Sequence, residues 1–323
     1  MRCLPSLLVL CALWLPSLAG AQTPAPATSP PAPVGVIAET RAAIAEKAFA
    51  KGEKIVLNSL AEAGTTPEAI EAWSWLGRGA LAAQKYREAD AYAQRAYKMV
   101  EEALMTRKLD DETHLPLALG AAIEVQAHVM VADGSRSEAV IFLRKELEHY
   151  KDTSIVTRLR KNINLFSLEG QPAFELANPE WMGSQKTTMS ALKGKPVVLF
   201  LWAHWCPDCK KQGPILEALL NKYRSTGLTV IAATQRFGYV AKRKPATPEE
   251  ELAYMFQIRD EFYQWFKDVP TPVSADLYEA YGVSSSPTMV LIDRAGNVAE
   301  YHPGQMTMEE LEAAIKEIAA GSR

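Results

Sequence analysis

Cysteine is scarce in this sequence, since its 323 residues contain only four. Cys3 and Cys11 lie in an apolar stretch at the N-terminus, and Cys206 and Cys209 are separated by two residues. Two neighbouring cysteines are too few for a disulfide scaffold and for a zinc site with four protein ligands. We therefore expect no metal and no bound cofactor. In an oxidising compartment, such a pair is expected to form a reversible disulfide.

The sequence also lacks an excess of charge of either sign. Its formal net charge is -3, with 48% hydrophobic and 23% charged residues, which is typical of a soluble globular protein. This balance gives no general electrostatic attraction to nucleic acid or anionic lipid, so partners have to be recognised locally. The length exceeds that of one ordinary core, and we expect two folded domains together with export and linker segments.

The N-terminal apolar stretch is short for a membrane span. It runs from Leu4 to Leu18, about fifteen residues against the roughly 20 that a spanning helix needs. Residues 19–21, Ala-Gly-Ala, follow with the pattern that signal peptidases cleave, so 1–21 is predicted to be the signal peptide of an exported, periplasmic protein. An uncleaved segment that anchors the protein in a membrane is the alternative. Residues 22–35 are rich in proline and alanine and predict an extended linker.

Residues 36–165 have the pattern of an all-α domain, because apolar residues recur at three- and four-residue spacing. Thr66-Pro67 is a helix start, with a capping hydroxyl followed by proline in the first turn. Several positions resemble the large and small packing pairs of tetratricopeptide-like repeats: Trp73, Leu76, Gly77, Ala89 and Ala96, and in a weaker second copy Ile123, Ala127, Ala139 and Leu143. A generic antiparallel bundle is the alternative. Either arrangement offers a surface for a partner protein or a second subunit.

Residues 166–323 alternate strand and helix patterns, which predicts an α/β domain with a mixed sheet. The run from Val197 to Trp202 is continuously apolar, as a central strand buried on both faces requires. The other predicted elements are a helix over 206–224, a strand over 229–234, a hairpin whose turn is Asp293 to Gly296, and a last helix opened by the capping box Thr307 and Glu310.

The cysteine pair lies where the predicted strand gives way to the predicted helix. Unpaired N–H groups and the helix dipole stabilise a thiolate at such a helix start, so Cys206 is predicted to be the exposed nucleophile. Cys209 lies one turn further on the buried side and can resolve a mixed disulfide, and Pro207 helps to fix the turn between them. Half of a metal site, or a chance pair, is the alternative.

The segment from Val197 to Pro214 resembles the thioredoxin superfamily, and in particular its exported TlpA/ResA-like thiol:disulfide oxidoreductases. The similarity includes Trp205, the motif Cys206-Pro207-Asp208-Cys209, and Ser286-Pro287 before a later strand; it extends over about 171–318. It implies a thioredoxin-like fold, a cis peptide bond at Pro287 beside Cys206, and protein thiols and disulfides as substrates. It favours a reductant, for example of cytochrome c apoproteins or metallochaperones, while the direction of electron flow stays open.

Two positions depart from the carboxylates that the resemblance implies. Phe200 stands where thioredoxins have a buried aspartate, and Gln212 stands where ResA-like proteins have a glutamate. Asp208 is one candidate substitute, although its charge disfavours a thiolate on Cys206. His204 is the other, and we expect it to lie at the strand end facing solvent.

The stretch between 237 and 269 is longer than a minimal thioredoxin fold needs and is strongly aromatic. We expect most of its aromatic residues to pack an enlarged helix and some to line a groove beside Cys206. The basic run Lys242-Arg243-Lys244 is expected to be a solvated loop.

The sequence leaves two other functions as alternatives. A peroxiredoxin-like peroxidase needs threonine or serine three residues before its cysteine, where this chain has Ala203. A binding protein would use the helical domain as its working surface and the thioredoxin-like domain for docking, and it would keep its role without Cys206.

Overall fold

The structure is a computed structural model that describes residues 35–321. The predicted signal peptide and nearly all of the predicted linker lie outside the described residues. The domain boundaries at 35 and 165 stay predictions.

Between residues 35 and 167 the structure consists mainly of helices. Their bounds are α1 (Val36–Ala45), α2 (Phe49–Ala63), α3 (Pro67–Ala82), α4 (Tyr86–Leu104), α5 (Leu115–Ala132), α6 (Arg136–His149) and α7 (Val156–Ser167). Helices α1, α3, α5 and α7 contact one another in that order, as well as the helices next to them in sequence. This is the packing of stacked helix pairs. The tetratricopeptide-like interpretation stays a prediction.

The residues predicted to pack in this region form its core. Thr66 caps α3 by accepting a hydrogen bond from the Ala69 N–H at 3.2 Å, with Pro67 in the first turn. Trp73, Leu76, Ala89, Ala96, Ile123, Ala127, Ala139 and Leu143 are all buried. Helix α5 is long and apolar enough to cross a membrane by length and composition. Its contacts with α3, α4, α6 and α7 account for that composition, because a helix packed on several sides needs apolar residues around much of its surface.

The second part of the chain has strands and helices in alternation. The elements are β1 (Glu180–Trp181), β2 (Val197–Leu201), α8 (Pro207–Lys222), β3 (Thr229–Ala233), α9 (Pro248–Phe262), β4 (Pro272–Val273), α10 (Ala275–Ala280), β5 (Thr288–Ile292), β6 (Val298–Pro303) and α11 (Met308–Ala320). Four strands form a mixed sheet in the order β3-β2-β5-β6, in which β2 is parallel to β3 and antiparallel to β5. Strands β1 and β4 form a separate antiparallel pair. The predicted mixed sheet flanked by helices is confirmed.

The register of the sheet brings two loops together. Leu201, the last residue of β2, pairs with Thr288, the first residue of β5. Because the strands are antiparallel, the chain that leaves β2 lies beside the chain that enters β5. All five residues of β2 and of β5 are buried, so the two neighbouring loops are attached to strands in the core of the domain.

Helix α7 connects the helical stack to the sheet region. The Asn164 side-chain amide donates to the Ala280 carbonyl at 3.0 Å, and Arg160 pairs with Glu279. Gly282 lies against the backbone of Arg160 and Lys161, so close that a Cβ atom at this position would clash with it. The backbone of Gly282 is also left-handed, with φ 61°. Only glycine satisfies both conditions.

Replacing Gly282 by alanine therefore tests this contact. We expect Gly282→Ala to lower the free energy of unfolding by about 1 kcal/mol for the left-handed backbone and about 1–3 kcal/mol more for overpacking against α7. The matched control is Gly227→Ala, which is also left-handed, with φ 82°, but has no atom within 4 Å of the added Cβ. Urea denaturation measures both variants, and equal losses would contradict the close approach of α7.

Candidate active site

The two sulfur atoms lie at the first turn of α8. Cys206 is the N-cap residue of this helix, and Pro207 occupies its first position. The Cys209 N–H donates a hydrogen bond to the Cys206 sulfur at 3.0 Å. The sulfur thus takes the place of the side-chain oxygen that usually caps a helix, and it receives one of the N–H groups that have no partner within the helix.

The loop before β5 covers the same sulfur. The Cys206 thiol donates to the Ser286 carbonyl at 3.3 Å, and the Ser286–Pro287 peptide bond is cis. On the other side of this loop, the Gly304 N–H donates to the Pro287 carbonyl at 2.8 Å. The structure therefore brings Ser286 and Pro287 beside the cysteine pair.

The expectation that Cys206 is exposed is wrong. Only 2% of its surface is accessible, and Cys209 is fully buried. The reason is the hydrogen bond to the Ser286 loop, which lies over the sulfur. Trp205 is exposed instead, with 46% of its surface accessible, so the indole marks the rim of the site.

The two thiols differ in acidity. Both cysteines are free. The hydrogen bond from the Cys209 side chain, together with the backbone N–H groups of Cys209 and Asp208, lowers the pKa of Cys206 despite its burial. Burial raises the pKa of Cys209 well above its usual range, and the neighbouring Cys206 raises it further. One sulfur is thus prepared to be a thiolate while the other keeps its proton.

Aromatic side chains pack around the buried thiol. Trp202 lies against Tyr263 with ring centroids 5.2 Å apart, and Tyr263 stacks on Phe266 at 4.6 Å. The Tyr278 hydroxyl donates to the Trp202 carbonyl. Burial, with the nearby cysteines, raises the pKa of Tyr263, whose hydroxyl has no hydrogen-bond partner among the described residues. The aromatic side chains near Cys209 therefore carry no charge.

Neutral side chains also occupy the two positions where the resemblance implied carboxylates. Phe200 is fully buried and contacts Tyr263 and Phe266 edge-on. Gln212 is fully buried, and its Oε1 accepts a hydrogen bond from the Met306 N–H at 2.9 Å. A buried amide orders the backbone before α11, but it cannot take up a proton as a carboxylate does.

Asp208 is partly exposed and pairs with a lysine. Its carboxylate pairs with Lys211 at 2.9 Å, and its side chain is 47% exposed. Its backbone carbonyl accepts a hydrogen bond from Gln305 at 3.0 Å. Its charge opposes the lowering of the Cys206 pKa, as expected for a carboxylate near a thiolate.

The expectation that His204 faces solvent is wrong. Its side chain is fully buried, and its Nε2 lies 2.9 Å from a carboxylate oxygen of Glu251. Glu251 also accepts the N–H groups of Phe237 at 2.6 Å and Gly238 at 2.9 Å. Because both Glu251 oxygens accept hydrogen bonds from N–H groups, Nε2 of His204 fits the role of donor in this pair. Burial lowers the pKa of His204 despite this hydrogen bond.

Glu251 is the buried carboxylate that the sequence analysis missed. It is the third of three consecutive glutamates in the first turn of α9, where negative charge interacts favourably with the helix dipole. Glu250 also forms a capping box with Thr247. Nothing in the local pattern separates Glu251 from its neighbours, because its partners come from distant parts of the chain.

The aromatic insertion divides between core and surface as expected. Tyr263 and Phe266 are buried, whereas Tyr254 lines a cavity beside Trp205. Lys242 and Arg243, from the basic run, line the same cavity. Within residues 35–321, no group of three or more histidine, cysteine, aspartate or glutamate side chains is arranged to hold a metal ion.

A mixed four-stranded sheet, a cysteine pair at a helix start and a cis-proline loop against the first sulfur together define a thioredoxin-like domain. The family model described as Redoxin matches residues 169–315.

Curated relatives show to which thioredoxin-like proteins this chain is similar. The chain is 30% identical over 136 residues to the thiol-disulfide oxidoreductase ResA of Bacillus thuringiensis (strain Al Hakam), a match that covers 42% of this chain and 69% of the relative. It is 26% identical over 159 residues to the thioredoxin-like protein YneN of Bacillus subtilis (strain 168), over 48% and 82% of the two chains. It is also similar to a putative thiol:disulfide interchange protein DsbE from Chlorobium tepidum, with 22% identity, coverage of 47% and 97%, and a TM-score of 0.37. This chain belongs to the ResA-like thiol-disulfide oxidoreductases of the thioredoxin superfamily.

Replacing Glu251 by glutamine tests the buried histidine–glutamate pair. The glutamine would turn an amide donor toward groups that are themselves donors, so we expect Glu251→Gln to lower the free energy of unfolding by about 2–4 kcal/mol. The control is Glu249→Gln on the same turn, where the side chain is exposed and the change should be within about 0.5 kcal/mol. Chemical denaturation measures the free energy of unfolding of both variants. Equal losses for Glu251→Gln and Glu249→Gln would contradict the stabilising role of the buried pair.

Proposed function

We propose that this protein exchanges disulfides with protein cysteines, with Cys206 as the attacking group and Cys209 as the resolving group. The observation that carries the proposal is the hydrogen bond from the Cys209 N–H to the Cys206 sulfur at 3.0 Å, at the start of α8. It stabilises negative charge on the sulfur that also faces the cis-proline loop. The alternatives, a peroxidase or a docking module, have no observation of comparable weight in their favour.

The exchange has two steps. The Cys206 thiolate attacks one sulfur of a substrate disulfide, that bond breaks, and the other substrate sulfur leaves as a thiolate that takes up a proton. Cys209 then loses its proton and attacks the Cys206 sulfur, which releases the second substrate thiol and forms the Cys206–Cys209 disulfide. The substrate gains two electrons and two protons, and a dithiol donor has to return them to the protein. The redox-active disulfide is the only cofactor this scheme needs.

The Ser286 carbonyl has a part in binding the substrate. In the dithiol form it accepts the Cys206 S–H. Once that sulfur is in a disulfide it has no hydrogen to donate, so the carbonyl is free to accept a backbone N–H from an extended substrate segment. Trp205, exposed at the rim, supplies an apolar surface beside the same segment.

We extend the proposal to the direction of electron flow and to the compartment in which the protein works. A lowered pKa on Cys206 supplies the thiolate that attacks a disulfide, and the similarity to ResA-like proteins favours a reductant of exported proteins. The apolar N-terminus supports export to the periplasm through a signal peptide. The helical stack offers a surface for a protein partner.

Insulin reduction with dithiothreitol tests the chemistry. We expect the wild-type protein to accelerate precipitation of the insulin B chain, and Cys206→Ser to return it to the rate without protein, because the attacking sulfur is lost. Cys209→Ser should keep the attack but not the resolution, so it should accumulate a mixed disulfide visible by mass spectrometry. If the wild-type protein is as inactive as Cys206→Ser, the exchange function is wrong.

The pH dependence of alkylation tests the sulfur pair. The Cys209 side chain lowers the pKa of Cys206 by a hydrogen bond, so Cys209→Ala should raise that pKa and slow alkylation of Cys206 by iodoacetamide at neutral pH. Cys209→Ser keeps a donor and should stay closer to the wild type, in which Cys209 itself resists alkylation. Equal profiles for both variants and the wild type would contradict this source of the acidity.

A further inference from the structure

A cavity of about 320 Å³ lies beside the proposed attacking cysteine. Its lining includes His204, Trp205, Lys210, Lys242, Arg243 and Tyr254. Trp205 and Lys210 flank the cysteine pair in sequence, so one wall of the cavity belongs to the redox site itself. The opposite wall comes from the insertion between β3 and α9.

The cavity carries positive charge without a counter-charge. Lys210, Lys242 and Arg243 line it, no acidic residue is part of its lining, and none of the three pairs with a carboxylate in the described part of the chain. The Lys210 ammonium lies over the Phe262 ring at 3.9 Å, a contact that keeps its charge. Three cations around one concave surface attract an anion.

The loop that carries Lys242 and Arg243 has an unusual backbone conformation. Lys242 and Arg243 are both left-handed, with φ 57° and 58°, a conformation that costs roughly 1–2 kcal/mol for each residue with a side chain. Below them the loop is closed by hydrogen bonds from Val240 N–H to the Lys244 carbonyl at 2.9 Å and from Ala246 N–H to the Gly238 carbonyl at 3.1 Å. Lys242, Arg243 and Lys244 are exposed, as expected for a solvated loop, and the first two also line the cavity.

The nearest buried carboxylate is not available to neutralise this charge. Glu251 is 1% exposed, and its oxygens are taken by His204, Phe237 and Gly238. It orients His204, which lines the cavity. A ligand that pairs with the three cations therefore brings its own negative charge.

We propose that this cavity binds the carboxylate of an aspartate or glutamate in the substrate polypeptide, next to the cysteine that exchanges with Cys206. The inference rests on the exchange function proposed above and narrows its substrates to acidic cysteine-containing segments. A polypeptide is the source of the carboxylate because the cavity is continuous with Trp205, at the rim of the redox site.

Matched disulfide peptides test this specificity. Two peptides that differ only in glutamate or glutamine beside the cysteine are reduced under turnover conditions. We expect wild-type kcat/KM to be about tenfold higher for the glutamate peptide, as a hydrogen-bonded charge contact allows, and the ratio to fall with added salt. The double variant Lys242→Gln/Arg243→Gln should lose most of the preference, and Lys242→Glu/Arg243→Glu should favour a lysine peptide instead.

The control variant is Lys193→Gln/Lys195→Gln, two exposed lysines before β2, at the opposite end of this strand from the cysteines. It removes the same charge and should keep the preference. All variants should reduce the uncharged bis(2-hydroxyethyl) disulfide at the wild-type rate. If the wild type reduces this small disulfide but does not distinguish the peptides, the subsite is wrong and the exchange function stands.

A binding measurement keeps the subsite testable without turnover. In Cys206→Ser/Cys209→Ser, calorimetry with the reduced peptides should show tighter binding of the glutamate peptide, and Lys242→Gln/Arg243→Gln should abolish the difference. Inactivity toward both insulin and the small disulfide would overturn the exchange function, and equal affinities for the two peptides would overturn the subsite.

Discussion

The hydrogen bond between the Cys209 N–H and the Cys206 sulfur is the interaction on which the site depends. It exists because a strand ends, a helix begins, and a cysteine stands where a helix needs an acceptor for its first N–H groups. The same geometry places the second cysteine one turn further, inside the core, where burial keeps its proton in place. The difference in acidity between two identical side chains thus follows from their positions on one helical turn.

The sheet supplies the other half of the site through its register. Pairing of Leu201 with Thr288 makes the loops after β2 and before β5 neighbours, although they are far apart in sequence. The Ser286 carbonyl then reaches the sulfur that the helix start presents. The helix start and the strand pairing therefore place the dithiol and the cis-proline loop side by side.

Much of this was predictable, because its signals are local. The apolar run of β2, the capping residues Thr66 and Thr307, and the cysteine spacing each depend on a few consecutive residues, and each lies where the sequence indicates. The exposure of Cys206 and of His204 was predicted wrongly, because it is decided by distant segments that fold over them. Glu251 was missed for the same reason: its role comes from His204 and Phe237, and its neighbours in sequence are two glutamates in the same first turn.

The close approach of α7 to Gly282 ties the two parts of the chain mechanically. Gly282 lies a few residues before Ser286, on the segment that carries the carbonyl over the sulfur. A partner on the helical stack that displaced α7 would have to displace this segment as well. Binding of that partner would then change the affinity of the thiol site for its substrate. Binding of the substrate would change the affinity for the partner by the same free energy.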